Sequence, residues 1–141
     1  MKLTTEAARA EFEKWLDFRH VKQSKREAFE QQEEVIVEAI ADGDLIVEED
    51  MKLRYTLLTP LTTDDGEEFL KTLVFKPRIR KQELIKHYKG LKPDDADGRL
   101  LATIAALTAD TPSEIAVTRD LIGKIYTEDM SVCEAIAVYF L

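Results

Sequence analysis

Reactive side chains are scarce in this chain of 141 residues. It has one cysteine, Cys133, and two histidines, His20 and His87, which lie in separate charged segments. A lone cysteine excludes an intramolecular disulfide, so folding does not depend on an oxidising compartment. On the expected apolar face of a helix, its thiol behaves as a small hydrophobe. Isolated histidines without converging partners suggest neither a metal site nor a histidine-activated nucleophile. Neither a glycine-rich phosphate cradle nor a G-x-S-x-G turn occurs. Asp94-Asp95-Ala96-Asp97-Gly98 resembles the middle of a calcium loop, but Pro93 precedes it and Ile104 stands where the bidentate glutamate belongs. Catalysis is therefore not expected, and neither is a metal or cofactor. An apolar run long enough to span a bilayer, roughly 18–20 residues, is missing. Met1-Lys2-Leu3 runs straight into Thr4-Thr5-Glu6-Ala7 without a leader pattern. The expectation is a cytoplasmic protein with no membrane partner.

What is present describes a globular chain. Hydrophobic residues make up 45% and charged residues 34%, enough for one compact domain with a real core. The net charge of −8 argues against a general nucleic-acid binder, because phosphates are repelled at long range. The charge is uneven. Lys71, Lys76, Arg78, Arg80, Lys81, Lys86, Lys89 and Lys92 face a single acid, Glu83, so this segment carries +7 and the remainder −15. It reads either as a solvated helix face neutralised by acids elsewhere in the fold or as a docking surface for an acidic partner.

Residues 4–42 read as a long helix that forms an N-terminal arm. Thr4 or Thr5 caps it, Ala8, Phe12, Trp15 and Leu16 share one face, and Phe29, Val35 or Ile36, Ala39 and Ile40 share another. Val21 is an optional extension of the first face, and the otherwise polar stretch from His20 to Arg26 marks a break or kink. The arm's thin apolar stripe predicts light packing on the rest, or pairing with another helix. Residues 43–141 form the second part. Leu53–Leu58 and Phe69–Phe75 make an antiparallel hairpin around the Thr62–Gly66 turn, with Leu45–Glu48 as a possible third strand. In the second hairpin strand Phe69, Lys71, Leu73 and Phe75 alternate with Leu70, Thr72, Val74 and Lys76, and Pro77 ends it. Short helices follow. One carries Leu84, Ile85, Tyr88 and Leu91; one begins at Arg99 with an N-cap just before it; one starts on Thr111-Pro112-Ser113-Glu114. The last starts on Thr127-Glu128-Asp129, with acids favourably placed in its first turn. The fold class is α+β.

The chain closes on Ala137-Val138-Tyr139-Phe140-Leu141, its most apolar stretch. An apolar end of this kind must dock, either as the last turn of a core helix beneath the hairpin or on a partner.

From the hairpin onward the chain resembles a known family. The ordered set is Leu53–Leu61 with its proline, a turn ending Asp65-Gly66-Glu67, Leu70–Pro77, a Leu-rich helix ending Ala105-Ala106-Leu107-Thr108, and a last helix closing on Phe140-Leu141. This is similar to the phage tail assembly chaperones of the Mu-like and P2-like group. Asp129 also stands where that family tends to carry an aspartate. The likeness covers about residues 41–141, with Arg78-Ile79-Arg80-Lys81-Gln82 as a departure from the family's usual small and acidic residues. The resemblance implies a non-catalytic chaperone, active in the host bacterial cytoplasm and absent from the finished tail. The expected partners are the tape measure protein and, as further options, tail tube subunits and copies of the same chain. Arg78, Arg80 and Lys81 are expected to steer acidic stretches of that client. Tyr139, Phe140 and Leu141 are expected either to finish the core or to face the client. The alternative is an acidic interaction protein, such as a DNA mimic that inhibits a host nucleic-acid enzyme. A small nucleic-acid binder that stacks bases on Phe75 and Tyr88 ranks below it.

Overall fold

Thr4 starts the first helix as its composition predicts. Its hydroxyl accepts a hydrogen bond from Ala7 N at 3.1 Å, capping α1 (Thr5–Phe18). The computed structural model describes residues 2–113 and 115–141. The expected long helix is three helices. α1 stops at Phe18, His20 takes a left-handed φ of 56°, and α2 (Gln23–Ala28) and α3 (Glu30–Ala41) follow. The break falls in the polar stretch, where no apolar face rewards continuing the helix. The chain then doubles back. Leu3 N donates to Ala41 O at 2.9 Å, and Arg9 bridges Glu33 and Glu34 across the pair.

Gly43, with φ 86°, turns the chain out of α3. The sheet is antiparallel in the order β1 (Leu45–Val47), β2 (Leu53–Thr62), β3 (Glu68–Phe75). Leu45 pairs with Tyr55, and Leu53 and Tyr55 pair with Phe75 and Leu73. Beyond Thr56↔Thr72 the register slips, and the next pair is Leu61↔Leu70. Residues 57–60 of β2 therefore bulge out of the ladder. The slip also changes the phase of β3: Leu70, Leu73 and Phe75 are buried, Lys71 is exposed and Phe69 half-buried, in place of the expected strict alternation.

α4 (Lys81–His87) buries no residue completely. α5 (Ala96–Leu107) starts earlier than expected, because Asp95 accepts from Gly98 N at 2.9 Å and caps it. No helix starts at Thr111 among the described residues; Glu114, the expected capping-box acid, lies outside them. The Thr111 hydroxyl instead accepts from Val74 N at 2.9 Å, while Leu107 O accepts from Lys76 N. The free edge of β3 needed these acceptors more than a helix needed a cap. The single turn α6 (Arg119–Ile122) is capped by Thr118. α7 (Thr127–Ala137) continues into a 3-10 turn, Val138–Phe140. α7 packs on α3, α5 and β2, and one hydrophobic cluster runs from Phe12 and Trp15 through the sheet to Ile136 and Tyr139. The last turn lies against α1 and the α2–α3 junction rather than beneath the hairpin.

Candidate functional site

Asp129, the third residue of α7, is fully buried, and it organises the most unusual part of the sheet. Its Oδ1 accepts from the Tyr55 hydroxyl at 2.6 Å and from Leu58 N at 2.8 Å; its Oδ2 accepts from Thr59 N at 3.0 Å. The bulge removes ladder acceptors from two backbone N–H groups, and the carboxylate supplies them. Burial, together with the carboxylate, pushes the Tyr55 hydroxyl far above its ordinary pKa, so it stays a donor. The clamp sets the bulge in one conformation. Leu57 points inward and is buried, whereas Leu58 points outward and is 60% exposed.

Beside the bulge lies an open groove of about 450 Å³ between the hairpin and the start of α7. Leu61, Asp64 and half-buried Phe69 line one wall, and Lys124 and Tyr126 the other. Tyr126 is the residue that enters α7 and is 54% exposed. Leu58, tied through its N–H to Asp129, and Tyr126, at the entry to the same helix, thus leave two large apolar groups exposed, of the kind binding surfaces use.

The basic segment is not neutralised by the fold. Lys71 pairs with Glu68, while Lys76 takes the local acid, Glu83, together with Asp110. Arg80, Lys81, Lys86, Lys89 and Lys92 are exposed and make no ion pair among the described residues. Arg78 is tied to the end of α1, donating to Phe18 O at 3.0 Å and lying 4.2 Å from the Phe18 ring centre. Of the three cations singled out from the sequence, Arg80 and Lys81 are therefore free to meet a partner, and Arg78 already serves a contact within the chain.

The terminal residues divide in the same way. Tyr139 is buried in an aromatic joint with Phe12, Trp15 and Phe29, ring centres 5.6–5.9 Å apart. Phe140 is half-buried beneath Arg19, whose guanidinium carbon is 3.6 Å from its ring centre. Leu141 is 59% exposed. Arg19 also donates to Tyr139 O at 2.7 Å and to Pro77 O at 3.2 Å, and Lys25 donates to the carbonyl oxygens of Tyr139 and Leu141. These cations satisfy carbonyls at the negative end of the last helical turn. Burial, and then the neighbouring Arg78, lower the Arg19 pKa to about 10. Tyr139 thus belongs to the core, and only Leu141 and the rim of Phe140 remain at the surface.

The other reactive groups do not converge. Cys133 is buried, and burial raises its thiol pKa strongly. His20 is exposed in the α1–α2 turn, and the half-buried His87 is held below its ordinary pKa by burial and then by Lys76 and Arg119. Among the described residues no three His, Cys, Asp or Glu side chains are placed to hold a metal ion, and no helix is long and apolar enough to cross a membrane. Asp129 is the functional candidate that residue-by-residue reading undervalued. Its one local signal was an acid in the first turn of a helix otherwise apolar on its inward face. Comparison with protein-family models, curated proteins and solved structures finds no match to this chain.

Proposed function

We propose that the chain is a non-catalytic tail assembly chaperone of a phage or prophage, which binds a helical client, the tape measure protein, during tail tube assembly. The observation that carries this reading is the groove between the hairpin and the short C-terminal helices, lined by the exposed Tyr126, together with Leu58 exposed on the neighbouring bulge. An amphipathic helix buries its apolar stripe in a groove of this kind. Asp129 supports the reading in a second way. The position at which the resembling family carries an aspartate here shapes the bulge that presents Leu58. Such a protein acts in the host bacterial cytoplasm, takes no cofactor and leaves before the tail is complete.

Co-expression with a candidate tape measure protein tests this. The client is expected to become soluble and co-purify, and Leu58→Ser together with Tyr126→Ser is expected to abolish capture with the fold unchanged. A client that stays insoluble beside the native chain, or capture that survives the double substitution, would overturn the assignment to this groove.

A further inference from the structure

The surface around α4 combines three properties. Five exposed cations, Arg80, Lys81, Lys86, Lys89 and Lys92, make no ion pair among the described residues. The local acid, Glu83, is held by Lys76 at 3.1 Å rather than ion-paired with any of them. Among the cations sits Ile85, an apolar side chain 53% exposed. Lys81 and Ile85 are one helical turn apart on α4, Lys86 adjoins them, and Lys89 lies in the turn just past the helix's last residue, His87. The adjoining face, with Leu84 and Tyr88 half-buried, attaches α4 to the body. The Tyr88 hydroxyl bonds the Thr103 hydroxyl at 2.7 Å, and Arg99 lies 4.8 Å from the Tyr88 ring centre. Arg119, reaching Lys89 O at 3.2 Å, adds a further cation beside the helix.

The geometry points to α4 as a docking platform for an acidic amphipathic helix, with carboxylates matched to Lys81, Lys86 and Lys89 and an apolar residue set on Ile85. Charge complementarity selects this occupant. A patch of one sign without internal carboxylate partners attracts the opposite sign and raises the association rate. A nucleic acid fits less well. Phe75, one of the two rings available for stacking in the segment, is completely buried, and Tyr88 is engaged by Thr103 and Arg99. An extended polyanion would also meet the −15 carried by the rest of the chain. A short helix covers only the basic face. The inference deepens the client-binding reading above and rests on it for biological meaning, but its test does not require that client.

The probe is a labelled synthetic helix with glutamates on one face and a leucine stripe, titrated by fluorescence anisotropy. Its controls are the same peptide with glutamine for glutamate and a single-stranded oligonucleotide. Binding of the acidic peptide alone, weakened at high salt, is expected. Lys81→Glu with Lys86→Glu and Lys89→Glu should weaken it by about tenfold or more, and Ile85→Ser should weaken it in all salts. Because α4 buries no residue completely, the thermal midpoint of these variants serves as the folding control. No binding, equal binding of the glutamine peptide, or oligonucleotide binding as tight as the acidic peptide's would overturn the inference. Co-expression separates the two claims. Peptide binding without tape measure capture removes the client reading and leaves α4 standing. Tape measure capture that the triple charge reversal does not weaken removes α4 and leaves the client reading.

Discussion

At the scale of single residues, the weight falls on Asp129. A buried carboxylate is tolerated only when its lone pairs are occupied, and three donors from β2 occupy them here. Asp129→Asn keeps the size but replaces one acceptor oxygen by a donor that faces other donors. It should destabilise the protein by about 2–4 kcal/mol, from a lost charge-assisted bond and a backbone N–H left unpaired. Tyr55→Phe removes one donor and leaves the carboxylate two, so it should cost about 1–2 kcal/mol. Urea denaturation of both variants provides the check, and an Asp129→Asn cost no larger than that of Tyr55→Phe would show that the clamp does not hold the bulge. The hydrogen bonds join residues 70 to 74 positions apart, so no local pattern could announce them.

At the scale of elements, the joint between α1 and the last turn shows how far burial departs from hydrophobicity. Tyr139, Phe140 and Leu141 look equivalent in the chain, yet their exposures run from 1% for Tyr139 to 59% for Leu141. Tyr139→Ala should therefore lose about 3–5 kcal/mol, as large aromatic deletions in a core do, whereas Leu141→Ala should stay within ~0.5 kcal/mol of the parent. Thermal or urea unfolding distinguishes the two, and equal losses would place both residues in the core. The same joint explains why 4–42 is not one rod. Phe12 and Trp15 of α1 and Ile36 and Ile40 of α3 enter the same core, which requires the chain to turn back between them. Apolar periodicity located both faces, and it located the polar interval, but it carries no information on the angle at which two helices meet.

For the whole molecule, the buried acids that titrate at high pH predict alkaline weakness. Burial raises Tyr139 to about 12 and raises Tyr55 and Cys133 further, while in an unfolded chain tyrosine and cysteine ionise near 10 and 9. Between those unfolded values and the folded ones, the folded state binds more protons, so stability falls as pH rises. Arg19 works in the opposite sense, because its folded pKa is lowered to about 10 and the unfolded state keeps the proton above that point. Lys25, lowered by burial and then by Arg19, acts in the same sense as Arg19, but two such bases do not offset three acids. The thermal midpoint should be level between about pH 7.5 and 8.5 and decline steadily from about pH 9 to 11. Circular dichroism melts across that range check it, and a level or rising midpoint would contradict the burial of these groups.

The α+β class, the hairpin with β1 as an option, the proline that ends β3 and the inward faces of α1 and α3 were legible in the sequence, because side-chain period, turn residues and proline act over a few neighbours. Tertiary structure alone decided the rest. Thr111 carries a good helix-start signal, and the bare edge of β3 took its hydroxyl instead. The basic run reads as an ordinary surface face until Glu83 is seen committed to Lys76. The scarcity of reactive groups pointed to binding from the outset. Where partners would bind depends on which apolar groups the core leaves outside, and that follows from packing between segments far apart in the chain.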